Sequence, residues 1–321
     1  MLLPPIARTP RKPAEDAKGR AARDGPGCRA PAVLPGVCGP VLVVAAHPDD
    51  EVIGAGALLG ELPEAAVVHI TDGAPRDPRF AAEAGFPDRQ SYKAAREQEA
   101  RAALALVGRE ESLFVFGIAD QEAVQHLAEA ARRLAEFFRL SPPSAVVTHA
   151  YEGGHPDHDA AAFAVRAACD LFAETGAIPP LLFEMTGYHG FGGGMVTGAF
   201  LTHPAAGAVH TLVLDERQKS RKRAMMDCHI SQRAVLADFP LEREAFRLAP
   251  RYDFQIPPHP GALFYERFDW GMTGKAWRRL AAEAASDLAR EGVPAFSATP
   301  ASADPQRPRR VRADQEGPRR G

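Results

Sequence analysis

An imidazole and two carboxylates fall within four residues at His47-Pro48-Asp49-Asp50-Glu51, and a second group of the same kind stands at His155-Pro156-Asp157-His158-Asp159. Each group follows an apolar run, residues 41–46 and 145–148. Two imidazoles and one carboxylate are the protein ligands of a class of hydrolytic zinc centres that keep one position open for water. A divalent-metal site is therefore the first expectation. His47 and Asp50, three apart across a tight turn, reach one ion together and leave Asp49 free, as a general base requires. The competing reading makes Asp49 or Asp50 a helix cap, with Glu51 favouring the helix dipole. It explains one Asp, but not His47 beside a second. In the later group Pro156 suits the first turn of a helix, so both imidazoles are expected near a helix N-terminus. One is expected on the metal and the other facing a substrate, where it steadies an oxyanion or protonates a leaving group. Spacing does not say which is which. Asp157 and Asp159 read as helix-start carboxylates or as acceptors that fix an imidazole tautomer.

The elements that must place these groups alternate. Apolar runs predict strands at 41–46, 66–71, 112–116, 145–149, 181–186 and 210–214, and helical periodicity predicts helices at 52–61, 90–107, 121–139, 159–175 and 215–228. The pattern predicts an α/β, Rossmann-like, mostly parallel sheet with helices on both faces, whose ligands collect outside the carboxyl ends of the strands. Glycines 54, 56 and 60 come too late for a nucleotide fingerprint, since the strand end belongs to His47. They are expected to let a helix pack close to the sheet. Residues 187–205 and 250–270 crowd Pro, Gly and aromatic residues and read as loops that build pocket walls.

The chain has 321 residues and a formal net charge of −3, which gives no electrostatic basis for binding nucleic acid. Cys28, Cys38, Cys169 and Cys228 show no C-x-x-C spacing and read as four ordinary thiols. No signal peptide and no apolar stretch of membrane-spanning length (~18 residues) is seen. A cytoplasmic protein with no membrane span is expected. The domain is expected at 37–295, between disordered tails at 1–36 and 296–321, the second one basic.

Together the motifs resemble the de-N-acetylases of the PIG-L/LmbE type. The resemblance rests on Ala46-His47-Pro48-Asp49-Asp50-Glu51 and His155-Pro156-Asp157-His158. Thr71-Asp72-Gly73, Arg96-x-x-Glu99, Leu106-Val107-Gly108, Phe116-Gly117-Ile118-Ala119-Asp120 and His229-Ile230-Ser231-Gln232 support it. It implies His47, Asp50 and His158 as ligands of zinc, or of ferrous iron, which such sites also accept. It implies Asp49 as the general base and His155 as the charged group that stabilises the oxyanion. Arg96 and Asp120 match positions at the sugar-binding end, and Asp72, His229 and Gln232 are weaker candidates. The implied activity is hydrolysis of the acetamide of an N-acetylated amino sugar or glycoconjugate. The alternatives are an amidase acting on a sugar–thiol conjugate and a non-catalytic sugar-binding protein of the same fold. An intact Asp49 argues against the last, because binding alone needs no free base.

Overall fold

The structure is a computed structural model whose described residues are 31–291. The expected tails fall outside these residues, except for 31–36. There Val33 and Leu34 are buried in the same core cluster as the central strands.

The fully buried run VLVVA forms β1 (Val41–Ala45), and α1 (Asp50–Leu59) follows it. The chain then makes β2 (Ala65–Pro75), α2 (Pro78–Glu83), α3 (Arg89–Ala105), β3 (Leu113–Asp120), α4 (Leu127–Leu140), β4 (Ala145–His149) and α5 (Pro156–Glu174). Next come β5 (Leu181–Met185), a hairpin of β6 (Tyr188–Phe191) and β7 (Gly194–Thr197), β8 (His210–Val213), α6 (Glu216–Asp227), α7 (Arg233–Leu236), β9 (Arg243–Leu248) and α8 (Gly274–Ala289). The main sheet has seven strands in the order β3-β2-β1-β4-β5-β9-β8. β1 to β5 are parallel, whereas β9 runs antiparallel to both β5 and β8. The expected mostly parallel α/β sheet is thus what the chain forms.

The strand order decides where function can sit. β1 is flanked by β2 on one side and by β4 on the other, with Val41 paired to both Ala65 and Ala145. The connection leaving β1 and the one leaving β4 therefore diverge at a topological switch point, and the crevice between them opens outside the carboxyl ends. Both His/Asp groups lie on those two connections.

Glycine serves packing, as expected. A Cβ on Gly54 would stand 2.5 Å from the Met185 sulfur, so α1 approaches β5 only because that position has none. At Ala55 α1 breaks its helical geometry (φ −145°, ψ 16°). The freed amides of Ala57 and Leu58 donate to the Glu244 carboxylate, which pairs with buried Lys222 at 2.8 Å.

The elements missing from the sequence reading are α2, the β6–β7 hairpin, α7, β9 and α8. Cys38 is disulfide-bonded, so the expectation of four thiols fails there, while Cys169 and Cys228 are free. Among the described residues no helix is long and apolar enough to cross a membrane.

Candidate active site

His47 is two residues past the end of β1, and the turn 47–49 leads into α1. Asp49 has φ 125° and ψ −30°, a backbone conformation that a residue with a side chain rarely adopts. Such strain costs about 1–3 kcal/mol and persists only when its surroundings hold it. The holders are identifiable. The Asp49 amide donates to Glu51 Oε2 at 3.1 Å, and Arg96 on α3 donates to the Pro48 carbonyl at 2.6 Å, to Asp49 Oδ2 at 3.1 Å and to the Gly73 carbonyl at 2.8 Å. Gly73 (φ +68°) is required, because a Cβ there would lie 2.7 Å from Pro48 Cδ and 2.9 Å from the guanidinium carbon of Arg96. This explains the Thr71-Asp72-Gly73 motif at the end of β2.

Asp50 joins the two groups across the switch point. Its Oδ2 lies 3.0 Å from His47 Nδ1, and its Oδ1 lies 3.2 Å from His158 Nε2 on α5. The rings of His47 and His158 are 5.3 Å apart between centroids. The other nitrogen of His47, Nε2, faces Asp120 at 3.1 Å and Asp157 at 3.3 Å. One ring nitrogen toward a ligand position and the other held by carboxylate is the arrangement that fixes a metal-binding imidazole.

Among the described residues three groups of side chains come close enough to share an ion: His47 with His155 and His158; Asp50 with His149 and His158; and His47 with Asp120 and Asp157. Hydrogen bonding discriminates among their members. His149 Nε2 accepts the Ala46 amide at 3.0 Å, so its lone pair is spent. Asp157 accepts the amides of Gln121 and Ala123 at 2.6 and 3.0 Å. His155 caps α5, with Nδ1 accepting the Asp157 amide at 3.1 Å. The expected set His47, Asp50 and His158 is not itself one of these groups, but Asp50 links its members: Oδ2, which also accepts the His47 amide at 2.8 Å, faces His47 Nδ1, and Oδ1 faces His158 Nε2.

Electrostatics follow from burial. Burial pushes the Asp49 carboxyl up to about 8, with Arg96 opposing the rise and Asp50 adding to it. Burial and the neighbouring His47 and His158 rings hold His155 well below the usual imidazole range. Since its Nδ1 is the cap acceptor, neutral His155 carries its proton on Nε2 and donates from there. For Asp120, burial opposes ionisation, but His47, His155 and Arg96 outweigh it and keep the carboxyl below its ordinary range.

The remaining sequence candidates are placed as follows. Asp72 takes Arg89 through both oxygens at 2.8 Å and braces the β2 end rather than the crevice. Asp159 accepts the Glu152 and Gly153 amides, which fixes the turn before His155. Ser231 donates to Glu99, and Gln232 donates to the Tyr92 hydroxyl, so two of the supporting motifs dock on each other. His229 is fully buried behind the 47–51 turn. Three further neighbours stand at these rings: His149, stacked on His158 at 4.0 Å; Tyr188, edge-on to His158 at 5.1 Å; and Trp270, 4.7 Å from His155, the last two from the segments expected to build pocket walls. His149 closes β4 and was detectable as a histidine at a strand end.

A doubly wound α/β domain with a histidine–carboxylate centre at its switch point is the class these observations define. Residues 42–169 match the family model described as PIG-L, GlcNAc-PI de-N-acetylase. No curated protein sequence matches the chain. Among solved structures, a deacetylase of the teicoplanin biosynthesis pathway in a complex with bog is 19% identical, with 65% of this chain and 96% of that one covered and a TM-score of 0.51. The deacetylase–teicoplanin complex from the same pathway is 17% identical, with 67% and 100% covered and a TM-score of 0.51. N,N'-diacetylchitobiose deacetylase from Pyrococcus horikoshii, complexed with its inhibitor MPG, is 18% identical, with 69% and 87% covered and a TM-score of 0.46. At the first two scores the likeness is one of fold.

Proposed function

We propose that the protein is a zinc-dependent de-N-acetylase that hydrolyses the acetamide of an N-acetylated amino sugar or its conjugate, releasing acetate and a free amine. The observation that carries this reading is Asp49, strained and buried, beside His47, Asp50 and His158 in a segment that matches the PIG-L family model. The teicoplanin-pathway relatives are deacetylases, and the acetamide is what this reading takes from them.

His47, Asp50 and His158 would hold the ion, zinc or ferrous iron. Such an ion, when bound, polarises a carbonyl and lowers the pKa of water toward ~7. Asp49 takes the proton from the attacking water while Arg96 fixes where its carboxylate stands. His155 donates a hydrogen bond through Nε2 to the carbonyl oxygen as the tetrahedral centre forms, and the proton that Asp49 took passes to the leaving nitrogen as the C–N bond breaks. Asp120, whose side chain is 13% exposed, remains within reach of a sugar hydroxyl. Arg96, at 4%, is turned inward and acts on Asp49 instead of on sugar.

The test is acetate release from a panel of N-acetylglucosamine derivatives, with and without a chelator, by the wild type and by Asp49→Ala. Release by the wild type alone, abolished by the chelator, is expected. Full turnover by Asp49→Ala would rule the assignment out. Cleavage of a sugar–thiol amide with no acetate from any acetamide would favour the amidase alternative.

A further inference from the structure

Behind the 47–51 turn lies a set of buried ionisable groups that the proposed reaction leaves unused. Glu51, His69 and His229 are each 0% exposed. Glu51 turns one oxygen, Oε2, toward two donors: the Asp49 amide at 3.1 Å and His69 Nε2 at 2.8 Å. Its other oxygen has no protein hydrogen-bond partner, and neither do His69 Nδ1 and the two ring nitrogens of His229. An acid in the first turn of a helix ordinarily faces solvent and answers the helix dipole. Glu51 instead reaches back, out of its helix, to the one residue of the turn with strained backbone.

The geometry forms a chain of constraints. His69 sits inside β2, paired to Ala45 of β1 and to Val115 of β3, so the middle of the sheet fixes its position. His69 fixes the Glu51 carboxylate, and that carboxylate holds the amide of Asp49, whose φ is 125°. Arg96 holds the same residue from its side-chain end. We propose that Glu51 is a positioning residue for Asp49: oriented by His69, it keeps the strained backbone in place and so sets where the Asp49 carboxylate stands. The catalytic part of this inference rests on Asp49 being the base, while the structural part does not.

The experiment uses the full chain and the variants Glu51→Ala, Glu51→Gln and His69→Leu. Five quantities are read: hydrogen exchange at the Asp49 amide, metal content, thermal unfolding, and kcat and KM for acetate release. In Glu51→Ala the Asp49 amide is expected to exchange about tenfold faster or more, since its local opening becomes easier. There kcat is expected to fall by about 10–100-fold, the scale of a small misplacement of a reacting group, with KM and metal content held. Glu51→Gln keeps an acceptor oxygen for the amide and is expected to restore most of both. If Glu51→Ala does not fold, His69→Leu decides through the same amide, which should again exchange faster.

Unchanged protection of the Asp49 amide in Glu51→Ala, or in His69→Leu where that variant stands in, overturns the proposal. So does a loss of kcat that only tracks loss of metal or of unfolding temperature and that Gln does not repair. If the wild type releases no acetate from any acetylated sugar while the amide responds as expected, the proposed reaction fails and the positioning role stands.

Discussion

Replacing Arg96 by Met tests whether the 47–49 turn is held as described. Arg96 is 3% exposed, and its guanidinium donates to two main-chain carbonyls and to Asp49. Methionine fills much of the volume but donates nothing. Breaking a buried ion pair by removing one partner costs about 3–5 kcal/mol, because the other charge is left uncompensated. Asp49 escapes part of that cost by taking up a proton, but the Pro48 and Gly73 carbonyls do not, so the lower half of the range is the expected loss, about 3–4 kcal/mol. For a domain of this size that corresponds to roughly 6–16 °C in Tm. The assay is a double-mutant cycle by thermal or urea unfolding of the wild type, Arg96→Met, Asp49→Asn and the double variant. The Arg96→Met cost should shrink by about 1–3 kcal/mol in the Asp49→Asn background, since the ionic part of the contact is then gone. A cost below about 1 kcal/mol, or one identical in both backgrounds, would refute the clamp. The pattern of a sugar contact is different: KM rises while unfolding is unaffected.

Two further outcomes follow from the same geometry. His155→Ala and Asp49→Ala are expected to keep full metal content by elemental analysis, the former losing about 10²–10³ in turnover, the usual cost of an oxyanion donor; His47→Ala and His158→Ala should lose the metal as well, and a His158→Ala protein with full metal would remove it from the ligand set. Glu244→Ala strands buried Lys222 and two amides of α1 and is expected to cost about 3–5 kcal/mol in urea unfolding, whereas replacing Lys222 and Glu244 together by apolar residues of similar size should cost much less.

What the sequence made legible is what covalent neighbourhood determines. The runs at 41–46 and 145–149 are apolar because both faces of those strands are covered, and each His/Asp group begins within a few residues of a strand end, so strand and group were visible together. Alternation of elements gives the mostly parallel sheet, but the strand order that brings the two groups to one crevice is seen only in the structure. β9 was not visible, because Glu244 and Arg247 interrupt it with charge. Those charges are buried only because Lys222 and Glu184, far off in the chain, neutralise them. The β6–β7 hairpin turns on Gly192-Gly193 and was lost among other glycines. α8 carries local signals of its own: Thr273 caps it, and Trp277, Ala281 and Leu288 form its buried stripe.

The site divides along the same line. His47, Asp49, Asp50, His155 and His158 could be picked out by type and spacing, because the chemistry expected of them demands certain atoms at short separations. Arg96 could not be assigned a target in that way. On α3 it occupies a position where the sequence offers only a long basic side chain, and whether such a group faces sugar or protein depends on what waits above it. Here Gly73 leaves the room, and the Pro48 carbonyl and Asp49 supply the acceptors. Glu51 is the same case seen from the other side. As a residue it is the last letter of a motif and a favourable charge at a helix start. Only the sheet, by putting His69 beneath it, turns that carboxylate away from water and onto the Asp49 amide. The residues that perform chemistry announce themselves by kind, and those that hold them in place are defined by partners that only the folded chain brings near.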